Sequence, residues 1–232
     1  HKDWSIKYLV DCKYRYLKFL KYFEKLNING KKAVDIGSFP YHFLYILKKL
    51  GLETTGLDLE PDRGNELVVN NNIKLLKCNI EKEKLPFNDN EIDMVFFTDV
   101  FEHLTINPIF AIREINRILK PGSSLFLTTP NLYGLNNIIH YMLGKGINDS
   151  YDEIIQVETI GHMGHLRMYS MHEVCNILTK ENFDISYKKY LYFKLTHPNK
   201  YREFISMILR TRYQLIPIFR PYFLVYATKR LQ

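Results

Sequence analysis

Three short apolar runs, each closing on an acidic residue, constrain the fold of this chain more than any other feature. Residues 32–36 lead into Gly37 and Ser38, residues 53–59 pass through Gly56-Leu57-Asp58, and residues 92–98 lead into Asp99. Residues 41–50, between the first two, carry a helical apolar pattern closed by Gly51, a usual helix stop. Strands alternating with helices imply right-handed βαβ units and a parallel sheet covered on both faces. The carboxyl ends of such strands share one edge, where ligands bind. Asp35, Asp58 and Asp99 are therefore expected along a single edge.

The remaining organisation follows the same alternation. Residues 6–26 read as an amphipathic helix with Leu9, Val10, Leu17, Leu20 and Phe23 as its apolar face. Pro40 stands where the first crossover helix is expected to begin. A short helix over 63–69, a strand over 73–77 and a polar loop over 81–90 precede the third acid-tipped run. A helix over 109–119, ended by Pro121-Gly122, leads to a strand over 124–129. Residues 130–168 are expected to lie over the strand ends as a cap. Ser170 with Glu173 forms a capping-box pattern, predicting a helix to about Glu181. Strands over 185–190 and 223–228 flank a predicted helix over 201–212. The last strand is expected to insert antiparallel at the sheet edge. One domain over 1–232 is expected, with 1–30 as an N-terminal helical cap and 130–168 as an inserted cap.

Bulk properties narrow the class. Hydrophobic content of 46% is ordinary for a globular core. Cys12, Cys78 and Cys175 are far apart, so no disulfide framework or cysteine zinc site is read and a reducing cytoplasm fits best. No signal-peptide pattern and no apolar run of about 18 residues is read. The chain opens on His1 rather than Met, so a piece of a longer protein is one expectation. Residues 1–32 hold nine Lys and Arg against three acids, and residues 188–232 hold ten against one. Basic ends flank an acidic centre. Solvated faces account for this, as does attraction to an anionic acceptor, a membrane surface or, less readily, nucleic acid.

The strand ends carry the chemistry. Gly37 lets backbone approach a ligand without a Cβ clash, and the helix that follows offers N–H groups to a carboxylate. Asp35 suits an amino group on the same ligand. Asp58, 23 residues further on, suits a ribose diol, a geometry shared with NAD sites. Asn79 suits an adenine amino group, with Ile80 on the purine face. A tight turn, a surface acid and a strand-ending Asn are the ordinary structural readings of these residues. An NAD-dependent oxidoreductase fits poorly because GxGxxG is absent after the first strand.

The order VDIGS (34–38), TGLDLEP (55–61), CNIEKEKLPFNDNEIDMVFFTDVFEHL (78–104), REINRILKPGSSLFLTTPN (113–131) and HLRMYSMHEV (165–174) resembles the Rossmann-like S-adenosylmethionine (SAM) dependent methyltransferases, over about residues 31–190. The resemblance implies an α/β fold with a seven-stranded, mostly parallel sheet and SAM across the strand ends. It places Asp35, Gly37, Ser38 and Phe39 at the methionine end, Asp58 and Leu59 at the ribose, Asn79 and Ile80 at the adenine, and Asp99 and Val100 by the sulfonium side. Phe39 and Tyr41 stand where DxGxGxG turns have their second and third glycines, and Phe39 narrows the site. Asn79 replaces the commoner Asp.

Glu102-His103 adds a reacting group. An unperturbed His titrates near pH 6.5 and serves as a general base for an acceptor hydroxyl, with Glu102 or Asp99 orienting it and His165 as a second polar wall. Asp99, Glu102, His103 and His165 also resemble the D-x-x-E-H plus distant His set of small-RNA 2′-O-methyltransferases, which implies a divalent metal. Asn131, Tyr133, Asn136 and Asn137 suit sugar recognition or a capped surface loop.

The expectation is a cytoplasmic SAM-dependent O-methyltransferase, peripheral at the inner membrane surface if its basic ends act there. A sugar hydroxyl of a surface or lipid-linked glycan is the favoured acceptor, on the resemblance of the SLFLTTPN and HLRMYS segments to methyltransferases of glycan clusters. The alternatives are an RNA 2′-O-methyltransferase, a quinone- or phenol-type small-molecule O-methyltransferase, and a non-catalytic binding platform.

Overall fold

The computed structural model describes residues 28–63, 66–147 and 167–192, 216–231, residues 150, 151, 154, 155, 158 and 164, and positions 8–10, 12, 13, 16, 17, 19, 20 and 23. Seven strands form one sheet: β1 (Lys32–Ile36), β2 (Glu53–Asp58), β3 (Lys74–Lys77), β4 (Ile92–Thr98), β5 (Leu119–Pro130), β6 (Phe183–Leu191) and β7 (Tyr222–Lys229). Their spatial order is β3-β2-β1-β4-β5-β7-β6. Strands β1 to β5 pair in parallel, and β7 is antiparallel to both β5 and β6. The expected antiparallel last strand is present, but it lies inside the sheet with β6 outside it. Seven residue pairs join β5 to β7, from Ser124↔Thr228 to Pro130↔Tyr222. This interior position uses both of the strand's hydrogen-bonding edges.

Among the described residues, the helices with defined bounds are α1 (His42–Lys49), α2 (Glu66–Asn70), α3 (Pro108–Ile118), α4 (Leu135–Met142) and α5 (Met171–Lys180). Successive strand residues point to opposite faces, so each strand feeds two cores. Val34, Ile36, Val95, Phe97, Leu125, Leu127 and Val225 join Ile112, Ile115 and Ile118 of α3 and Val174 and Leu178 of α5. Ala33, Met94, Phe96, Phe126 and Leu224 join Phe43 and Leu47 of α1. Each fully buried aliphatic or aromatic side chain here contributes about 2 kcal/mol.

The N-terminal helix is present at the described positions of 8–23, but of its expected apolar face only Phe23 is buried. Cys12, Tyr16, Phe19 and Phe23 are buried, while Leu9, Val10 and Leu17 are exposed. The Phe23 ring meets Phe96 and Phe126 edge-on, at 5.4 and 5.2 Å between centroids. Aromatic area outweighs aliphatic character in choosing this face.

Local chemistry sets the ends of the elements that carry the site. Helix α3 begins where Asn107 accepts the Phe110 N–H at 3.0 Å, with Pro108 following. It stops at Ile118, earlier than Pro121-Gly122, because Leu119 is already extended and pairs with Ile92. The capping box at α5 is present: Glu173 N donates to Ser170 Oγ at 3.2 Å, and Ser170 N donates to the Glu173 carboxylate at 2.8 Å. Buried Glu114 of α3 accepts from Leu85 N at 2.8 Å and from Arg117 at 2.7 Å, tying the β3–β4 loop to the helix. The predicted helix over 201–212 lies outside the described residues.

Candidate functional site

The carboxyl ends of β1, β2 and β4 converge through their backbones. Gly37 N and Ser38 N both donate to Leu57 O, at 2.8 and 3.2 Å. Gly37 has φ +68, and a Cβ there would drive into Val100 Cγ2. Only glycine meets both demands. Asp35, preceding the turn, is buried at 2% exposure. Pro40 follows a cis peptide and precedes the helix instead of starting it: Tyr41 is the N-cap, in the left-handed region at φ +69. A bulky residue held there costs on the order of 1–3 kcal/mol. The fully buried Tyr41 ring and its hydroxyl, which donates to Pro61 O at 3.4 Å, hold the conformation in place. Burial, reinforced by the nearby Asp58 charge, pushes the Tyr41 phenol well above its ordinary range.

Asp58 closes β2 with its carboxylate against that turn. Its Oδ2 accepts from Phe39 N at 3.2 Å, and its Oδ1 accepts from Glu60 N at 2.9 Å and from Arg63 Nη2 at 2.7 Å. The Arg63 guanidinium also stacks over the Phe39 ring, 4.4 Å from its centroid. Phe39 therefore narrows the site by carrying a cation as well as by its own size. Leu59 beside it is half-buried.

Asn79 and Ile80 follow β3, with Cys78 N bound to Asp58 O at 3.0 Å. Asn79 Oδ1 accepts from Glu81 N at 3.1 Å in a local turn, so the oxygen expected on adenine already has one partner. Ile80 is 8% exposed and packs in the core. Glu81 accepts from Ile106 N and Asn107 N at 2.7 and 2.8 Å. The loop after β3 is thereby tied to the loop after β4.

That loop carries the expected reacting groups. Asp99 sits at φ +53, and its carboxylate accepts from Thr128 Oγ1 at 2.9 Å. Glu102, 1% exposed, accepts from Thr129 Oγ1 at 2.9 Å. Two adjacent threonines at the tip of β5 thus position the turn Phe101–His103. The half-buried His103 ring places Nδ1 3.2 Å from Gly164 O. A carbonyl only accepts, so Nδ1 is the donor in this contact.

As metal donors, the described residues do not fit. Among them no three His, Cys, Asp or Glu side chains come together as a metal site, and Asp99 and Glu102 are drawn onto Thr128 and Thr129. His165 and its neighbour His162 lie outside the described residues. As a SAM edge the arrangement does fit: an obligatory glycine, a buried acid before it, a ribose-suited carboxylate and a histidine after β4 stand on adjoining strand ends.

Of the two readings of the residues after β5, the contacts of Asn131 fit the capped loop: its side chain donates to Ile218 O and Arg220 O, both at 2.7 Å, and accepts from Tyr133 N at 3.2 Å. Asn137 donates to Asn131 O at 2.9 Å. These residues build the chain reversal after β5. Arg63 was not among the expected site residues, although the turn begun by Pro61 returns it to Asp58 five positions upstream.

Residues 34–127 match the model of a methyltransferase domain. Among curated proteins, the tRNA U34 carboxymethyltransferase of Campylobacter curvus is 27% identical over 49% of this chain and 39% of its own length. The mitochondrial ubiquinone biosynthesis O-methyltransferase of Rattus norvegicus is 27% identical over 52% of this chain and 36% of its own. The chain thus matches well under two thirds of these relatives' lengths. A SAM-dependent methyltransferase from Archaeoglobus fulgidus superposes with a TM-score of 0.61 at 15% identity, covering 96% of this chain and 99% of that one, which speaks to the fold. Among the described residues no helix is long and apolar enough to cross a membrane.

Proposed function

We propose that this chain, whose residues 34–127 match a methyltransferase domain, moves a methyl group from SAM to a hydroxyl oxygen, with His103 as general base. SAM, when bound, supplies a methyl carbon made electrophilic by the sulfonium. Gly37, Asp35 and Asp58 hold its methionine and ribose parts, and the Asp99 turn borders the reacting side. Most of the rate comes from holding the acceptor oxygen about 3 Å from that carbon. As the C–O bond forms and the C–S bond breaks, the hydroxyl proton passes to His103 Nε2, leaving a methyl ether and S-adenosylhomocysteine.

The observation that carries this reading is the 3.2 Å contact between His103 Nδ1 and Gly164 O. It orients the ring with Nδ1 as the donor, and the base role is assigned to Nε2 on that orientation. Glu102 acts through the same turn as a positioning residue.

For the acceptor, we favour a phenol- or quinone-type hydroxyl over a glycan. Two of the four residues expected to suit a sugar, Asn131 and Asn137, bond to the chain reversal after β5, and curated relatives include ubiquinone-pathway O-methyltransferases from two organisms. An RNA hydroxyl stays second, favoured by the basic ends and the tRNA-modifying relative. Incubation with labelled SAM and separate phenolic, RNA and glycan pools tests this. Label in the phenolic pool supports the proposal, and label confined to RNA or glycan overturns the acceptor. Transfer is expected to survive EDTA. Loss on chelation with recovery on Mn²⁺ would reinstate the set Asp99, Glu102, His103 and His165.

A further inference from the structure

Asp58 is already committed before any nucleoside arrives. A carboxylate offers about four acceptor positions. Phe39 N, Glu60 N and Arg63 Nη2 take three of them. A ribose diol brings two donors, so one resident must leave. The two amides belong to the backbone at the ends of the β1 and β2 turns and cannot withdraw without unmaking them. Arg63 is a side chain, 23% exposed, on a three-residue turn.

We propose that Arg63 is a resident competitor of the cofactor. It closes the Asp58 carboxylate when the nucleoside is absent and swings out when ribose binds, thereby setting the affinity for SAM and S-adenosylhomocysteine. The proposal rests on the SAM reading given above and adds a specificity-determining residue to it. Phe39 is part of the device. Where a glycine would leave the nucleoside side open, its ring is a platform for the guanidinium at 4.4 Å, and Tyr41 braces that ring edge-on at 5.5 Å. Arg63 is further held by Glu60, through its carbonyl at 3.3 Å and its carboxylate at 3.4 Å. Arginine suits the role because one planar group stacks on an aromatic and pairs with a carboxylate at once.

Competition with an ion pair has a signature that a supporting contact lacks. Salt weakens a partly exposed pair, so salt should help the nucleoside displace Arg63. The test is calorimetric titration of S-adenosylhomocysteine into the wild-type protein, Arg63→Gln and Arg63→Lys at about 0.05 and 0.5 M NaCl, ionic strengths that bracket strong and weak screening. Arg63→Gln is expected to bind roughly fivefold more tightly than wild type at low salt, the factor that a pair worth about 1 kcal/mol gives. The gap should narrow at high salt, and Arg63→Lys should fall between. Melting curves establish that each variant is folded. Equal or weaker binding by Arg63→Gln, with wild-type binding intact, overturns the competitor role and leaves the cofactor reading standing. Absence of binding by all three folded proteins overturns the cofactor reading and this proposal with it.

Discussion

Thr129 Oγ1 donates to the Glu102 carboxylate at 2.9 Å, with both side chains buried. The tip of β5 thereby fixes the turn that presents His103. Thr129→Val keeps the shape and removes the donor, leaving a buried carboxylate with one partner fewer. A stability loss of about 1–3 kcal/mol is expected. Turnover should fall while S-adenosylhomocysteine affinity holds. Unchanged turnover in a measurably destabilised variant would separate Glu102 from the placement of His103.

Gly37→Ala should damage fold and site together. The added Cβ meets Val100 Cγ2 at a left-handed backbone, so a loss of at least about 2 kcal/mol is expected from strain and overpacking. Thermal melting checks the first effect and ligand titration the second.

His103→Gln keeps a polar group of similar reach and removes the base. Transfer to a neutral hydroxyl is expected to slow by on the order of 10²–10⁴-fold, with S-adenosylhomocysteine affinity retained. A variant that keeps its rate removes His103 from the reaction.

Glu114 predicts how stability responds to acid. Burial raises its pKa, but the Arg117 hydrogen bond and the Leu85 amide outweigh this and hold it below the ordinary carboxylate range. Its folded pKa is thus the lower one, so its stabilisation is full above the unfolded value of about 4.3 and is lost as pH falls through the folded value. Arg117 is partly exposed, so Glu114→Gln should cost about 2 kcal/mol near neutrality. Urea unfolding at pH 7 and near pH 3 should show the difference shrinking in acid.

The parallel half of the sheet was legible because β1, β2 and β4 are short apolar runs with turn residues and acids at fixed offsets. The capping box at Ser170 was legible because its pairing spans only three residues. Of the apolar face expected on the N-terminal helix, Phe23 is buried while Leu9, Val10 and Leu17 are exposed; Cys12, Tyr16 and Phe19, at spacings of four, three and four up to Phe23, complete the buried stripe. The interior place of β7 depends on pairing with Ser124–Pro130 almost a hundred residues earlier, which no local pattern encodes. Asn131 looked like a ligand group because a buried amide on a loop reads the same whether its partners are backbone carbonyls or a sugar. Arg63 stood in the sequence only as the first residue of an expected short helix. Its importance comes from the left-handed Tyr41 and from Phe39, which place an aromatic platform beside Asp58.

SAM is proposed to lie along the ends of β1, β2 and β4 with its ribose on Asp58. The most direct test is calorimetric titration of S-adenosylhomocysteine into the wild-type protein and Asp58→Asn, a change that keeps the size of the group and removes its charge. Micromolar binding by the wild type, weakened at least about tenfold (about 1.4 kcal/mol) in a folded variant, is the predicted result. No binding by the wild type, or equal binding by both, would contradict it.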